Sequence, residues 1–390
     1  MFYLDAASTA PHNELNNIVI ETMSKAMKED WENPSSLYAS KVKEKIDNCR
    51  KAIAEFIYAK PEEIFFTSGG SESNSWALQG FVKECYMNGK QPIIVTTPIE
   101  HKSIMNCIET LDAEVWMVAV DDDGLLKMDM FEKALQDVNK YCMAHFNDFE
   151  VLVSIQLANN EIGTEQDMRE ISKIIHNNGA LLHTDAVQVF GNLDIDVDVI
   201  GADMMSVSGH KIAPALRGIG FLYKRSGVNI QPIIYGNQEE GLRGGTENTY
   251  GIIGLAKALE YKGSIKVKYS DTIAYQKRQY FIKRLQEEFG CKLNGYSKLR
   301  LSNNINVTFP QNITGEALLH TLNASGIKIS TGSACNSQSI EPSYVLKAIG
   351  LTDEEAMRTV RITFANDITL EDIDKIIKEI DSAIKIITEV

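Results

Sequence analysis

The sequence predicts an α/β protein built on a mostly parallel β-sheet. Up to residue 224, short runs rich in β-branched and aromatic residues alternate with amphipathic helical segments. No internal repeat or low-complexity segment interrupts this alternation. The composition is that of an ordinary globular protein, with 44% hydrophobic and 24% charged residues. At 390 residues, the chain is long enough for two domains with separate cores.

Seven segments are candidate strands, because each is a short run dominated by apolar side chains. They are residues 63–68, 92–97, 113–120, 151–157, 180–186, 202–208 and 219–224. Between the fourth and fifth runs, apolar Met168, Ile171, Ile174 and Ile175 recur at helical spacing, and the pattern ends at Gly179, a residue typical of the position after a helix. Residues 183–186 therefore lie at a strand's carboxyl end, where open α/β sheets bind ligands.

A second, smaller domain is predicted where the sequence becomes helical and rich in lysine. We expect a large domain over residues 15–255 and a small domain made of residues 1–14 and 256–390. Near the C-terminus, Thr369 and Asp372 have the spacing of a helix N-cap. Isoleucines at helical spacing follow, which predicts a helix with one buried face. They are Ile373, Ile376, Ile377, Ile380 and Ile384.

The charge balance and the cysteines limit the class of protein. The chain carries 39 basic and 53 acidic residues, a net charge of −14, which argues against broad binding to nucleic acid or an anionic membrane. No leader pattern and no long apolar run is visible, so we expect a cytoplasmic protein. Six scattered cysteines without a C-x-x-C pair indicate reduced thiols, not a disulfide framework or a metal site.

One segment combines a strand, a Gly-Ser turn and a helix. It is FFTSGGSESN, residues 65–74, in which backbone N–H groups and the positive end of a helix dipole converge. Such a place suits a phosphate group. The alternative is an ordinary capped turn with Ser71 as the N-cap, and this segment alone leaves both open.

Lys211 and Asp185 are candidates for cofactor chemistry. A loop lysine is usually a solvated charge, but Lys211 follows Ser208, Gly209 and His210 at the carboxyl end of a strand. An amine there can form a Schiff base with an aldehyde cofactor. Such enzymes also need a carboxylate against the pyridinium nitrogen, and Asp185 ends the preceding strand, 26 residues upstream.

Three further residues could complete such a site, although each is weak evidence alone. His101 falls just after a strand and could stack on a flat ring and move protons. Asn159 follows another strand. Arg361 carries a guanidinium that suits an α-carboxylate.

Cys335 differs from the other cysteines in its surroundings. It lies in STGSACNSQS, residues 330–339, a polar segment in which a thiol is more suited to react than to pack. The other five, Cys49, Cys85, Cys107, Cys142 and Cys291, have the neighbours of ordinary core or surface residues.

The order of these segments resembles that of the cysteine desulfurases, in the class V branch of fold type I pyridoxal-phosphate enzymes. The matching segments are YLDAAST, NPSS, FTSGGSESN, EHKSI, NNEIGT, HTDAVQ, SGHKI, LRGGTEN, TGSACNS and VRITF. The resemblance covers nearly the whole chain. It implies a large domain with a mostly parallel seven-stranded sheet and a smaller C-terminal α+β domain.

The resemblance also implies roles for individual residues. Lys211 would bind pyridoxal 5'-phosphate, Asp185 would pair with its ring nitrogen, and His101 would stack on the ring and relay protons. Residues implied to contact the ring oxygen are Gln188 and Asn159, the latter also near the substrate. Residues implied to hold the phosphate are Gly70, Ser71, Ser208 and His210, with Thr246 from the neighbouring subunit of a homodimer. Arg361 would bind the carboxylate of L-cysteine.

By the same resemblance, Cys335 attacks the sulfur of cofactor-bound cysteine, giving alanine and an enzyme persulfide. The sulfur would serve iron–sulfur cluster assembly or thiolation through an acceptor protein such as an iron–sulfur scaffold. The chain departs from the family pattern after Lys211, where APALRGIG is one residue longer, and at Tyr38, which replaces a frequent histidine.

Other functions stay open at this point. The same cofactor chemistry serves selenocysteine lyase and related β-elimination enzymes. A non-catalytic sulfur carrier or interaction protein could keep the fold, although the set of Lys211, Asp185, His101 and Cys335 argues against it. A class V aminotransferase has no use for the thiol.

Overall fold

The computed structural model describes residues 1–263, 273–310, 313–331, 341–365 and 367–389. Its strands are β1 (Phe2–Tyr3), β2 (Ile64–Thr67), β3 (Gln91–Thr96), β4 (Glu114–Met117), β5 (Phe149–Ser154), β6 (Leu181–Asp185), β7 (Met204–Ser208), β8 (Gly220–Lys224), β9 (Lys292–Leu293), β10 (Asn304–Thr308), β11 (Ile327–Lys328) and β12 (Thr359–Thr363).

The α-helices alternate with these strands in the first part of the chain. They are α1 (Glu14–Glu29), α2 (Ser40–Phe56), α3 (Gly70–Met87), α4 (Lys102–Ile108), α5 (Met128–His145), α6 (Met168–Asn177), α7 (Thr249–Lys262), α8 (Ile273–Phe289), α9 (Gly315–Ala324), α10 (Tyr344–Ala348), α11 (Asp353–Met357) and α12 (Leu370–Thr388).

The central sheet has the strand order β2-β8-β7-β6-β5-β3-β4. Neighbouring pairs from β7 through β6, β5 and β3 to β4 are parallel, whereas β8 runs antiparallel to both of its neighbours. All seven strands predicted from the sequence form this sheet, which confirms the predicted α/β class and the mostly parallel arrangement.

Helices cover both faces of the sheet. In β3, Ile93 and Val95 pack into the cluster that contains residues of α1, α2 and α7, whereas Ile94 packs into the cluster of α3 and α4. Strands buried on both faces need continuous apolar runs, which explains why the runs in the sequence did not alternate with polar residues. The interior of the sheet is apolar, and the polar residues Asp185, His101 and Lys211 lie at or just after the carboxyl ends of its strands.

Two helices match their predicted patterns closely. Helix α6 ends at Asn177, and Gly179 follows with φ of +73°, a conformation that suits glycine. Helix α12 begins with a capping box. The Thr369 side chain accepts a hydrogen bond from Asp372 N, and the Asp372 side chain accepts one from Thr369 N. Four of its five predicted isoleucines are buried: Ile373, Ile376, Ile377 and Ile380.

A second hydrophobic cluster lies in the later part of the chain. A three-stranded antiparallel sheet in the order β12-β10-β9 packs with α8, α9 and α12, and Leu4 from the N-terminus joins this cluster. Strand β1 pairs in parallel with β11. The division into domains at residues 14 and 256 stays a prediction, since α7 runs through the second of these positions.

The N-terminal segment runs between the two clusters and reaches the carboxyl edge of the central sheet. Ala6 N donates to Thr363 O at 3.0 Å, on the side of the second cluster, and Ala10 N donates to His210 O at 3.0 Å, beyond β7. Residues 5–10 are thereby held beside the end of the strand that precedes Lys211. In the part of the chain that the structure describes, no helix is long and apolar enough to cross a membrane.

Candidate active site

A cavity of about 230 Å³ lies at the carboxyl edge of the central sheet. It forms where β6 ends at Asp185, where the turn after β7 carries Lys211, and where the loop after β3 presents His101. Gln188 and Arg361 also line it. The residues that follow β3, β6 and β7 meet in one cavity, as the predicted parallel sheet requires.

Asp185 is buried and firmly held at the bottom of this cavity. Its Oδ1 accepts a hydrogen bond from Val187 N at 2.9 Å, and its Oδ2 accepts one from Asn74 Nδ2 at 2.8 Å. A carboxylate has about four lone-pair sites, so Asp185 can accept a further hydrogen bond from a protonated ring nitrogen.

His101 is the N-cap residue of α4, and its tautomer follows from its contacts. Its Nδ1 accepts a hydrogen bond from Ser103 N at 3.2 Å and lies 2.8 Å from Ser103 Oγ. The proton of the neutral ring therefore belongs on Nε2. Burial lowers the pKa of His101, although the nearby Asp185 carboxylate raises it in part. A neutral imidazole at neutral pH can accept a proton.

Lys211 points its amine toward the N-terminal segment. Its Nζ donates to Ala7 O at 2.5 Å and to Ser8 O at 2.8 Å. Gln188 Nε2 also donates to Ala7 O, at 3.1 Å. The lysine amine thus lies in the cavity with backbone carbonyls as its neighbours.

The end of the cavity that the sequence predicts to hold a phosphate is formed by the first turn of α3 and by the segment after β7. Gly70, Ser71, Ser208 and His210 all line the cavity. The helix begins at Gly70, and its N-cap is Gly69 with φ of +152°, so the interpretation of Ser71 as the N-cap was wrong. A residue with this φ is usually glycine, and with Gly69 as the N-cap the helix begins one residue before Ser71.

Close backbone approach is a second feature of this end. A Cβ atom on Gly70 would lie 2.7 Å from Val187 Cγ2, so a larger residue here would displace the Val187 side chain, which also lines the cavity. Burial, with Lys211 and Arg217 nearby, lowers the pKa of His210 to about 4. The open helix N-terminus, the Asp185 carboxylate and the Lys211 amine together fit pyridoxal phosphate.

Arg361 lies across the cavity from these groups, on β12. Its side chain is almost wholly buried, and its backbone pairs with Ser330, whose N–H donates to Arg361 O at 3.1 Å. The cavity contains both Arg361 and Lys211. An α-amino acid fits such a site, since Arg361 can bind its carboxylate while Lys211 lies near its amine.

Two residues singled out in the sequence, Asn159 and Thr246, are not among the described residues that line the cavity. Backbone groups engage the Asn159 side chain, because its Oδ1 accepts from Glu161 N at 2.8 Å in its own loop and its Nδ2 donates to Ile99 O at 2.9 Å in the loop after β3. The described contacts give no support to Asn159 as a cofactor or substrate contact. Thr246 is exposed on the surface. Cys335 lies outside the described residues.

Eight residues of the cavity wall were not singled out from the sequence, among them the polar residues Asn74, Ser103, Gln156 and Asn160. Asn74 lies in the Gly-Ser segment that was assigned only to phosphate binding, and Ser103 lies two residues after His101. Asn74 and Ser103 each lie near the start of a helix that follows a strand of the central sheet, and this position was the available signal.

The five other cysteines have the properties of core residues. Burial raises the pKa of Cys49 to about 11 and those of Cys85 and Cys291 to about 12, and it also raises the pKa of Cys107 and Cys142. All five are free thiols, and none lines the cavity as far as the structure describes it. A thiol that stays protonated is a poor nucleophile.

Comparison with known proteins identifies the family of the chain. The family model described as "Aminotransferase class-V" matches residues 2–376. Cysteine desulfurase IscS of Methanosarcina thermophila is 38% identical over 389 residues, which are 98% of this chain and 92% of the relative. The NifS-like protein from Rickettsia africae superposes with a TM-score of 0.83 at 29% identity, covering 99% of both chains. A structure titled "SspA in complex with cysteine" superposes with a TM-score of 0.76 at 34% identity, covering 93% of this chain and 99% of that one.

The fold and the site define a pyridoxal-phosphate enzyme, and the chain belongs to the class-V aminotransferase family. Within that family it is a cysteine desulfurase.

Proposed function

We propose that this enzyme removes sulfur from L-cysteine, leaving L-alanine, and that Cys335 receives the sulfur as a persulfide. The observation that carries the proposal is the presence of Lys211, Asp185, His101 and Arg361 in one cavity of about 230 Å³. A small amino acid can be held there at both its amine and its carboxylate.

Lys211, Asp185 and the first turn of α3 would hold the cofactor. When bound, pyridoxal phosphate supplies an aldehyde that condenses with amines and a ring that withdraws electrons from the substrate's α-carbon. Asp185 would keep a proton on the ring nitrogen, and the N–H groups at Gly70 with the Ser71 and Ser208 hydroxyls would bind the phosphate. His210, neutral because of its low pKa, can donate one hydrogen bond there.

Proton movement is assigned to Lys211 and His101. The Lys211 amine can take the α-proton of the substrate once it is free of the cofactor. His101, with Nδ1 occupied by Ser103, has Nε2 left for exchange of a proton with the substrate. Arg361 would orient the substrate through its carboxylate.

The sulfur step balances with a single thiol. The Cβ–S bond of cysteine breaks and an S–S bond forms at Cys335, while the electron pair left on Cβ takes a proton, so L-cysteine and a thiol give L-alanine and a persulfide. Since burial raises the pKa of the five other cysteines, Cys335 is the thiol left for this role.

The proposal includes a homodimer in which Thr246 reaches the partner's phosphate site. Thr246 is exposed, as that role requires. Large apolar side chains, among them Trp31, Leu37, Tyr38 and Tyr235, are also exposed. Leu37 borders a surface cleft, and exposed apolar side chains of this size are typical of an interface.

The proposal further includes a cytoplasmic location and an acceptor protein, such as an iron–sulfur scaffold, that takes the sulfur from Cys335. The decisive experiment is an assay of the purified protein with L-cysteine and a reductant, in which alanine and sulfide should appear in equal amounts. A parallel assay with L-selenocysteine identifies a selenocysteine lyase, for which alanine would form from the selenium substrate alone. Absence of alanine from both substrates would refute the proposal.

A further inference from the structure

The guanidinium of Arg361 is fixed by the N-terminal segment. Its Nη2 donates to Asp5 Oδ1 at 2.7 Å and to Ser8 Oγ at 2.9 Å, while Nη1 donates to Asn160 O at 3.0 Å. Asp5 lies 356 residues before Arg361 and reaches it because residues 4–7 pair with Thr363 at the end of β12. Three hydrogen bonds to three different groups define the plane of the guanidinium.

The third nitrogen of this guanidinium differs from the other two. Arg361 Nε is buried and has no hydrogen-bond partner among the described residues. A buried donor without a partner is rare in proteins, and here it belongs to a side chain that lines the cavity. A carboxylate oxygen is the acceptor that suits it best.

The same segment also contacts the lysine of the site. The carbonyl oxygens of Ala7 and Ser8 accept hydrogen bonds from Lys211 Nζ, and both residues line the cavity beside Arg361. Residues 5–8 therefore touch the two groups assigned to the opposite ends of an amino-acid substrate.

We propose that Asp5 is a positioning residue that orients Arg361 for the α-carboxylate of the substrate, with Ser8 as a second support. The N-terminal segment thereby sets the preference for amines that carry a carboxylate. This inference rests on the proposed role of Arg361 as the carboxylate-binding residue.

The negative charge of Asp5 also repels a substrate carboxylate, so the two effects must be weighed. The Asp5 side chain is 21% exposed, against 6% for Arg361, which screens its charge in part. Without Asp5, substrate binding would have to order the long, flexible side chain of Arg361. The entropy cost of that ordering is larger than the gain from removing the repulsion between Asp5 and the substrate carboxylate. Removing the Asp5 side chain should therefore weaken the binding of carboxylates.

The test compares L-alanine with ethylamine, which is the same amine without the carboxylate. Each is titrated into the pyridoxal-phosphate-loaded protein, and Kd is read from the visible spectrum. We expect Asp5→Ala to raise the Kd for L-alanine about tenfold, the effect of one charged hydrogen bond, and to leave the Kd for ethylamine unchanged. Asp5→Asn keeps a hydrogen-bond acceptor for Nη2 and should stay close to the wild type.

A matched control is Asp30→Ala, which removes a similarly buried carboxylate paired with Lys45 at 2.6 Å, away from the cavity. Neither Kd should change in this variant. In an Arg361→Ala background, Asp5→Ala should have no further effect on either amine, since Asp5 acts only through the guanidinium.

Equal weakening of both amines by Asp5→Ala would overturn the inference, as would tighter binding of L-alanine to Asp5→Asn than to the wild type. If Asp5→Ala does not fold, Ser8→Ala replaces it, and an unchanged L-alanine to ethylamine ratio in that variant refutes the role of the segment. Failure of L-alanine to bind the wild-type protein at all would instead count against the proposed function.

Discussion

Asn74 donates a hydrogen bond from Nδ2 to Asp185 Oδ2 at 2.8 Å, across 111 residues of sequence. The same nitrogen lies 2.8 Å from Ser103 Oγ, which in turn lies 2.8 Å from His101 Nδ1. A continuous set of hydrogen bonds thus joins the carboxylate assigned to the cofactor's ring nitrogen to the imidazole assigned to proton transfer. Asn74 holds both residues in place.

Substitution of Asn74 should weaken cofactor binding. In Asn74→Ala, the buried Asp185 carboxylate loses a hydrogen bond, and a bond to a charged group contributes about 1.5–3 kcal/mol. We expect the Kd for pyridoxal phosphate to rise by about tenfold to a hundredfold and the visible absorption band to shift. Asn88→Ala is the control, since Asn88 is exposed and its side chain donates to Glu84. An unchanged Kd and spectrum in Asn74→Ala would show that the contact has no part in the site.

The attachment point of the cofactor can be located directly. Because the Lys211 amine faces the cavity, borohydride reduction of the loaded protein followed by peptide mapping should place the phosphopyridoxyl group on Lys211. Protein pretreated with hydroxylamine, which removes the cofactor, should carry no label. A label on another lysine would reject the assignment.

Much of the fold could be predicted because it depends on local patterns. The apolar runs of six of the seven central strands are mostly buried where the sequence indicated, whereas the edge strand β4 is only partly buried. Four of the five predicted isoleucines of α12 are also buried. The Thr369 capping box needs only residues three apart. These features follow from period and spacing, which a single sequence contains.

The site could be predicted only in part, because its contacts are between distant residues. Residue type and position at a strand end indicated Lys211, Asp185 and His101. Nothing local indicated that Asn74 reaches Asp185 or that Asp5 reaches Arg361, since both contacts depend on how the sheet and the N-terminal segment pack. Asn159 has a suitable residue type, but backbone groups of its own loop and of Ile99 use its side chain.

Glu161 should make stability depend on pH. Burial raises its pKa from 4.5 to about 7, against the opposing effects of the Ser343 hydroxyl at 2.6 Å, of Arg361 and of Lys102. Between these two values the folded protein binds more protons at Glu161 than the unfolded chain does, so this contribution to stability is present below pH 4.5 and is lost as the pH rises through 7.

Glu161→Gln removes this titration and keeps an acceptor for Ser343. We expect the Tm of the variant, relative to the wild type, to increase as the pH rises from 5 to 8, because the groups that titrate elsewhere cancel in the comparison. The measurement is thermal unfolding at several pH values. A difference in Tm that is constant with pH would mean that Glu161 does not titrate in this range.

The homodimer can be tested by complementation. Thr246→Asp should repel the partner's phosphate, and Lys211→Ala should lack the attachment point, so each homodimer is inactive. In mixed dimers, one site combines the intact Lys211 of one subunit with the intact Thr246 of the other, which should restore about a quarter of the wild-type activity. If mixing restores nothing after refolding together, whereas each variant folds, Thr246 does not serve a partner's site.

The last prediction separates substrate binding from sulfur removal. Binding of L-cysteine depends on Lys211, Asp185 and Arg361, which the structure places in one cavity, whereas removal of the sulfur needs a nucleophilic thiolate. Cys335→Ser should therefore still change the visible spectrum when L-cysteine is added, yet form almost no alanine or persulfide, because a hydroxyl near neutral pH is a far poorer nucleophile toward sulfur than a thiolate. Cys49→Ser is the matched control, since burial raises the pKa of that thiol to about 11 and it lies outside the cavity. It should retain wild-type activity. Desulfuration of L-cysteine by Cys335→Ser at a rate near that of the wild type would mean that another group accepts the sulfur.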